Sequence, residues 1–168
     1  MRSRRGWNMT EHVRFLEQPP VRAVLDGELV AFGDDGKPDF ERVCERMLFQ
    51  HDEIPLVFNA FDALSVEGED VRSAPYRDRR QILEELRLDG AQWRVPEAFE
   101  DGEALWAAVC EHELEGVVAK RLHESYLCGE RNWLKVKNRE YWRYEIEREG
   151  AIRGRGAAVL KVKPSCCP

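Results

Sequence analysis

A chain of 168 residues with 43% apolar content, 35% charged side chains and a net charge of −6 has the size and composition of one globular domain with a real core. No apolar run approaches the ~20 residues of a membrane span, and the polar, basic start from Met1 to Thr10 lacks the apolar stretch of a secretory signal. The five cysteines make no CxxC pair and no disulfide-like spacing, so a reduced, cytoplasmic setting without structural zinc or membrane attachment is expected.

Val21 to Leu25 and Glu28 to Phe32 are short β-prone runs joined by Asp26-Gly27, and Asp34-Asp35-Gly36 then supplies a turn. Pro55 to Leu64 (PLVFNAFDAL) reads as a strand apolar enough to be buried on both faces. Pro75 to Leu86 reads as a helix: Pro suits a first turn, while Ile82, Leu83 and Leu86 form an apolar stripe opposite charge. Asp101 caps a further helix in which Leu105, Ala108, Val109 and His112 share a face. Two strands follow, Gly116 to Arg121 and Trp133 to Lys137, separated by a polar loop. The end from Gly154 is rich in Gly, Lys and Pro and fits no element. The fold class expected is α+β, with antiparallel strands outnumbering helices.

Charge is unevenly spread. From Ala119 onward there are 12 Lys/Arg against 6 Asp/Glu, whereas residues 1–118 hold 14 basic and 26 acidic side chains. Such segregation can aim one region at phosphates while the rest stays acidic; a solvated basic face is the plainer explanation.

The chemistry-bearing groups are Asp26-Gly27-Glu28, Phe61-Asp62, Glu115 to Lys120, and Trp133 to Lys137. A site for a nucleoside triphosphate needs an aromatic face for the base, carboxylates for Mg²⁺ and fixed cations over the α-phosphate. Phe61 can stack a purine, Glu28 and Glu115 can serve sugar or metal, and Lys120, Lys135 and Lys137 the phosphate. Lys135 and Lys137, two apart in a strand, share a face. Glu115 and Lys120, five apart, would not in an unbroken strand, so one must sit at a strand end or reach around it. Singly, each has a plainer reading: Phe61 as core, Glu28 as a solvated hairpin residue. Glu115 is a stronger signal, because an unpaired carboxylate entering an apolar strand is costly.

In order and spacing these groups resemble the covalent nucleotidyltransferase family of ATP-dependent DNA ligases, most like the bacterial repair type. Ser3-Arg4-Arg5-Gly6 is similar to the segment after the family's nucleophile strand. LDGELVAF (Leu25 to Phe32), NAFDAL, EGVVAKR (Glu115 to Arg121) and WLKVK (Trp133 to Lys137) are similar to its later motifs. The resemblance spans about Arg2 to Arg148. It implies mostly antiparallel sheets with flanking helices, an incomplete ATP-grasp-like core. It also implies nucleotide contacts from Arg4, Glu28, Phe61, Lys120, Lys135 and Lys137, with Glu115 and Glu28 toward Mg²⁺ or Mn²⁺. In the family a lysine of a K-x-D-G-x-R motif attacks the α-phosphate of ATP, and AMP then passes to the 5′-phosphate of nicked or broken double-stranded DNA.

That motif lies upstream of the SRRG segment, and no K-x-D-G occurs in these residues. The expectation is a partial adenylation domain over residues 1–148 with a divergent tail over 149–168, trimmed at both ends and without the family's OB-fold domain. Such a chain would be inactive alone. The alternatives are a non-catalytic nucleotide- or DNA-binding remnant complemented by another chain, and an RNA ligase or capping-type transferase, against which the DGE and EGVVAK wording argues.

Overall fold

The structure, a computed structural model, describes residues 1–3, 6–19, 21–88, 90–130 and 133–146, with the backbone of 161–162. In chain order the elements are a 3-10 turn (Glu11–Val13), β1 (Ala23–Val30), α1 (Phe40–Phe49), β2 (Val57–Val66), β3 (Glu69–Asp70), α2 (Tyr76–Glu85), β4 (Trp93–Arg94), α3 (Gly102–Glu111), β5 (Gly116–Lys120), β6 (Trp133–Lys137) and β7 (Lys161–Val162). The chain divides into two compact units. Among the described residues the first holds those of Met1–Pro96 and Leu122–Cys128 with β7, and the second those of Glu97–Arg121 and 129–146.

In the first unit β1 pairs antiparallel with β2 along its length, and Gly27 and Glu28 pair on the other edge with β7. β3 continues the far end of β2, and β4 lies parallel to Phe58 and Asn59. The two β-prone runs joined by Asp26-Gly27 form one strand, β1, with no turn between them. Gly27 serves a close approach instead: a Cβ there would collide with the Phe58 ring and lie 2.6 Å from the Asn59 carbonyl oxygen.

Register explains how one sheet carries both a core and a polar face. Leu29 opposes Phe58 and Gly27 opposes Ala60, and Leu29, Phe58 and Ala60 belong to the buried apolar cluster. Their neighbours Glu28, opposite Asn59, and Asp26, opposite Asp62, therefore face the other way. The pairing slips between Asp26 and Gly27, leaving Phe61 as the extra residue of a β-bulge. Phe61 is half-buried and joins neither the core nor the apolar side chains packed on it. The expectation of a strand buried on both faces holds for Asp62 to Leu64 but not for Asn59 or Phe61.

α1 is absent from the sequence reading although its signals are present. Asp39 caps it, accepting from the Glu41 N–H at 2.8 Å, and Val43 and Met47, one turn apart, are buried. α2 matches expectation, with Leu83 buried and Ile82 and Leu86 packed on the core. In the second unit Asp101 caps α3, accepting from the N–H groups of Glu103 and Ala104 at 3.1 and 2.9 Å. Of the face expected there only Val109 is fully buried; His112 is exposed at the C-cap. Cys110 is a free thiol, whereas Cys128 is disulfide-bonded, against the expectation of reduced cysteines. Among the described residues no helix is long and apolar enough to cross a membrane.

Candidate functional site

The sequence-derived candidates fall on both units. Arg4 lies outside the described residues. Glu28 and Phe61 stand in the first unit, on adjacent strands of its sheet and off the core. Behind them lies a buried polar network. Arg79 of α2 grips Asp62 with two hydrogen bonds, Nε at 2.8 Å and Nη2 at 2.9 Å, with both side chains almost fully buried. Its Nη1 donates to the carbonyls of Ala74 at 2.6 Å and Glu124 at 3.0 Å. The guanidinium also lies over the rings of Tyr76 and Tyr126 at 5.6 and 5.8 Å. Tyr126 donates its hydroxyl to Asp26 at 2.8 Å. Burial, and then the Asp26 carboxylate, push the Tyr126 phenol far above its ordinary value, so this donor keeps its proton at any working pH. The network fixes Asp26, two residues before Glu28, and Asp62, next to Phe61. Arg79 was legible only as a charge on an otherwise apolar helix face.

The second unit carries the remaining candidates on a two-stranded ribbon. β5 and β6 pair antiparallel, with Gly116 opposite Lys137, Val118 opposite Lys135 and Lys120 opposite Trp133. Opposed residues share a face, and so do residues two apart, which places Lys120, Lys135 and Lys137 on one face of the ribbon. The Lys120 ammonium sits 5.6 Å from the centre of the Trp133 ring. Glu115 precedes β5, at the strand end, one of the two placements that the five-residue spacing allows. Its carboxylate accepts from Lys135 Nζ at 2.5 Å and lies 3.6 Å from Lys137 Nζ. The Glu115 carbonyl accepts from the Asn138 N–H at 2.8 Å, and the Asn138 amide donates to the Leu114 carbonyl at 3.2 Å.

Burial pushes the Glu115 carboxyl up, but the hydrogen bond from Lys135 and the charges of Lys135 and Lys137 outweigh it. The carboxyl is held below its ordinary value of 4.5. A depressed folded-state pKa stabilises above the unfolded value and is lost as pH falls through the folded value. Titrating Glu115 by carboxyl ¹³C shift is therefore expected to give a midpoint below 4.5. In Lys135→Gln burial gains weight and the midpoint moves up; an unmoved midpoint would show that the ion pair does not set the acidity.

The chain matches the family described as "ATP dependent DNA ligase domain" over residues 2–137. It is 39% identical over 132 residues to a DNA ligase of Thermococcus fumicolans, covering 70% of this chain and 24% of that protein. It is 34% identical over 173 residues to the multifunctional non-homologous end joining protein LigD of Pseudomonas aeruginosa, covering 94% of this chain and 20% of that protein. Among solved structures, a mycobacterial DNA ligase D complexed with ATP and MES superposes with a TM-score of 0.68 at 33% identity. That match covers 82% of this chain and 46% of the other. The chain thus spans about a quarter of the length of the Thermococcus relative and a fifth of the Pseudomonas one.

Proposed function

This chain belongs to the ATP-dependent DNA ligase family, as part of its adenylation domain, and from that premise we propose that it binds ATP for the adenylation step of DNA end sealing. The observation that carries the reading is the placement of Lys120, Lys135 and Lys137 on one face of the β5–β6 ribbon, with Glu115 ion-paired to two of them. Fixed ammonium groups on a rigid ladder stabilise charge on a phosphate without reorganising during transfer. Phe61, outside the core, is the base platform, Glu28 the sugar-side carboxylate, and Arg4 a further nucleotide contact by resemblance alone. DNA with a nick or break is the acceptor, and the net positive run from Ala119 suits its phosphates.

Glu28 and Glu115 are the carboxylates available to Mg²⁺ or Mn²⁺. Among the described residues no group of three or more His, Cys, Asp or Glu converges as a metal cage. A single carboxylate fits a hard cation that takes its other ligands from phosphate oxygens and water, the usual way Mg²⁺ is held. When bound, the ion would neutralise phosphate charge. The chain's own part is to keep Glu115 ionised, which Lys135 and Lys137 do.

The lysines around the phosphate act electrostatically, and no K-x-D-G lysine occurs among these residues. The second reading, a nucleotide- or DNA-binding chain complemented by another that carries the nucleophile, rests on that observation. With α-labelled ATP and Mg²⁺, the 168-residue chain is expected to bind nucleotide yet show no labelled band on denaturing electrophoresis. An acid-labile band mapping to Lys120, Lys135 or Lys137 would overturn the electrostatic assignment. An in-frame K-x-D-G-x-R in the coding DNA upstream of Met1 would separate the two readings.

A further inference from the structure

Asn59 stands out among the polar residues of the first unit. It opposes Glu28 across the β1–β2 ladder and lies two residues before Phe61, on the face turned away from Phe58 and Ala60. The residue is half-buried, yet its Oδ1 is shut off from solvent with no hydrogen-bond partner. A buried acceptor left unsatisfied destabilises the fold, and Val or Thr would suit a pleated strand position better than Asn. A donor on a bound ligand is one way to complete such an acceptor, two residues from an aromatic side chain that stands off the core.

We propose that Asn59 reads the edge of the base stacked on Phe61, its side-chain oxygen accepting the exocyclic N–H of adenine. This rests on the reading of Phe61 as the base platform and adds a specificity determinant to it. No bond holds the amide oxygen, and the torsion between Cβ and Cγ is soft, so the oxygen can turn outward when a donor arrives. The facing Glu28 carboxylate accepts only, which favours the amide NH₂ on its own side and leaves the oxygen to the ligand. A 6-oxo purine offers a carbonyl oxygen where adenine offers N–H. Acceptor then meets acceptor, and a site built to pair a donor rejects an analogue that lacks it.

The test is titration calorimetry of the full chain with ATP and with inosine triphosphate, beside thermal melts, on wild type, Asn59→Leu, Asn59→Thr and Phe61→Ala. Wild type is expected to prefer ATP. Asn59→Leu should lose about tenfold in ATP affinity, abolish the preference over inosine triphosphate, and melt no lower than wild type, because an unsatisfied polar atom has been removed. Asn59→Thr, whose hydroxyl stops short of the base, should lose the preference likewise and guards against a misfolded leucine variant. Phe61→Ala should weaken both nucleotides together. An unchanged ATP preference in the two Asn59 variants, with Phe61→Ala still weakening binding, would overturn the inference and leave the platform standing. Wild type binding neither nucleotide would overturn both.

Discussion

Arg79→Met is expected to destabilise the first unit by about 3–5 kcal/mol, the cost of leaving one partner of a buried ion pair uncompensated. The size follows from burial on both sides: Arg79 and Asp62 side chains are 3% and 2% exposed, so water cannot replace the lost guanidinium. The Ala74 and Glu124 carbonyls lose their donor in the same change. Methionine fills much of the volume, so the loss reports on charge and hydrogen bonds more than on packing. Against a domain stability of about 5–15 kcal/mol, the variant should unfold at a much lower denaturant concentration. The double variant Arg79→Met/Asp62→Leu, which removes both charges, should recover a large part of the loss. A double variant as unstable as the single one would mean that the carbonyl contacts, and not the buried carboxylate, dominate. Because Asp62 adjoins Phe61 and Glu124 lies in the Leu122–Cys128 segment, nucleotide binding should fall with stability in the single variant.

Gly116→Ala should break the β5–β6 ribbon. Gly116 has φ of +148°, where side chains are strained, and an added Cβ would collide with the Val136 carbonyl oxygen and lie 2.9 Å from the Lys137 Cα. Both are backbone, so no flexible side chain can yield. Overpacking and strained backbone together come to roughly 2–6 kcal/mol. The ladder must open at the Gly116–Lys137 pair, which draws Glu115 away from Lys135 and Lys137 and breaks its carbonyl contact with Asn138. The expected result is loss of amide-exchange protection over β5 and β6 together with a sharp drop in ATP affinity. Gly129→Ala is the control: its φ is +88°, but a Cβ there meets nothing within 4 Å, so only backbone strain remains. Equal loss in both variants would assign the effect to φ and remove the close backbone approach from the account.

The family and the fold class were legible in the order of short motifs along the chain. Asp101 and Pro75 opened their helices as read, and Glu115 lies at the strand end, one of the two placements that its spacing from Lys120 allowed. α1 was missed even though the Asp39 cap and the Val43/Met47 step were there, because its helical apolar signal is short and bordered by turns. Other features rest on contacts between residues far apart in sequence. Gly27 reads locally as a joint between two β-prone runs, and only the Phe58 ring and the Asn59 carbonyl reveal it as a close approach inside one long strand. Phe61 looks like core in an apolar run, and only the bulge, a property of pairing with β1, takes it out of the core. Tyr126 meets Asp26 across 100 residues, and Arg79 meets Asp62 across 17. Local sequence carries periodicity, caps and motif order, because those act over a few residues; burial, register and the pairing of charges belong to the folded chain, because they depend on which distant backbone comes to lie alongside.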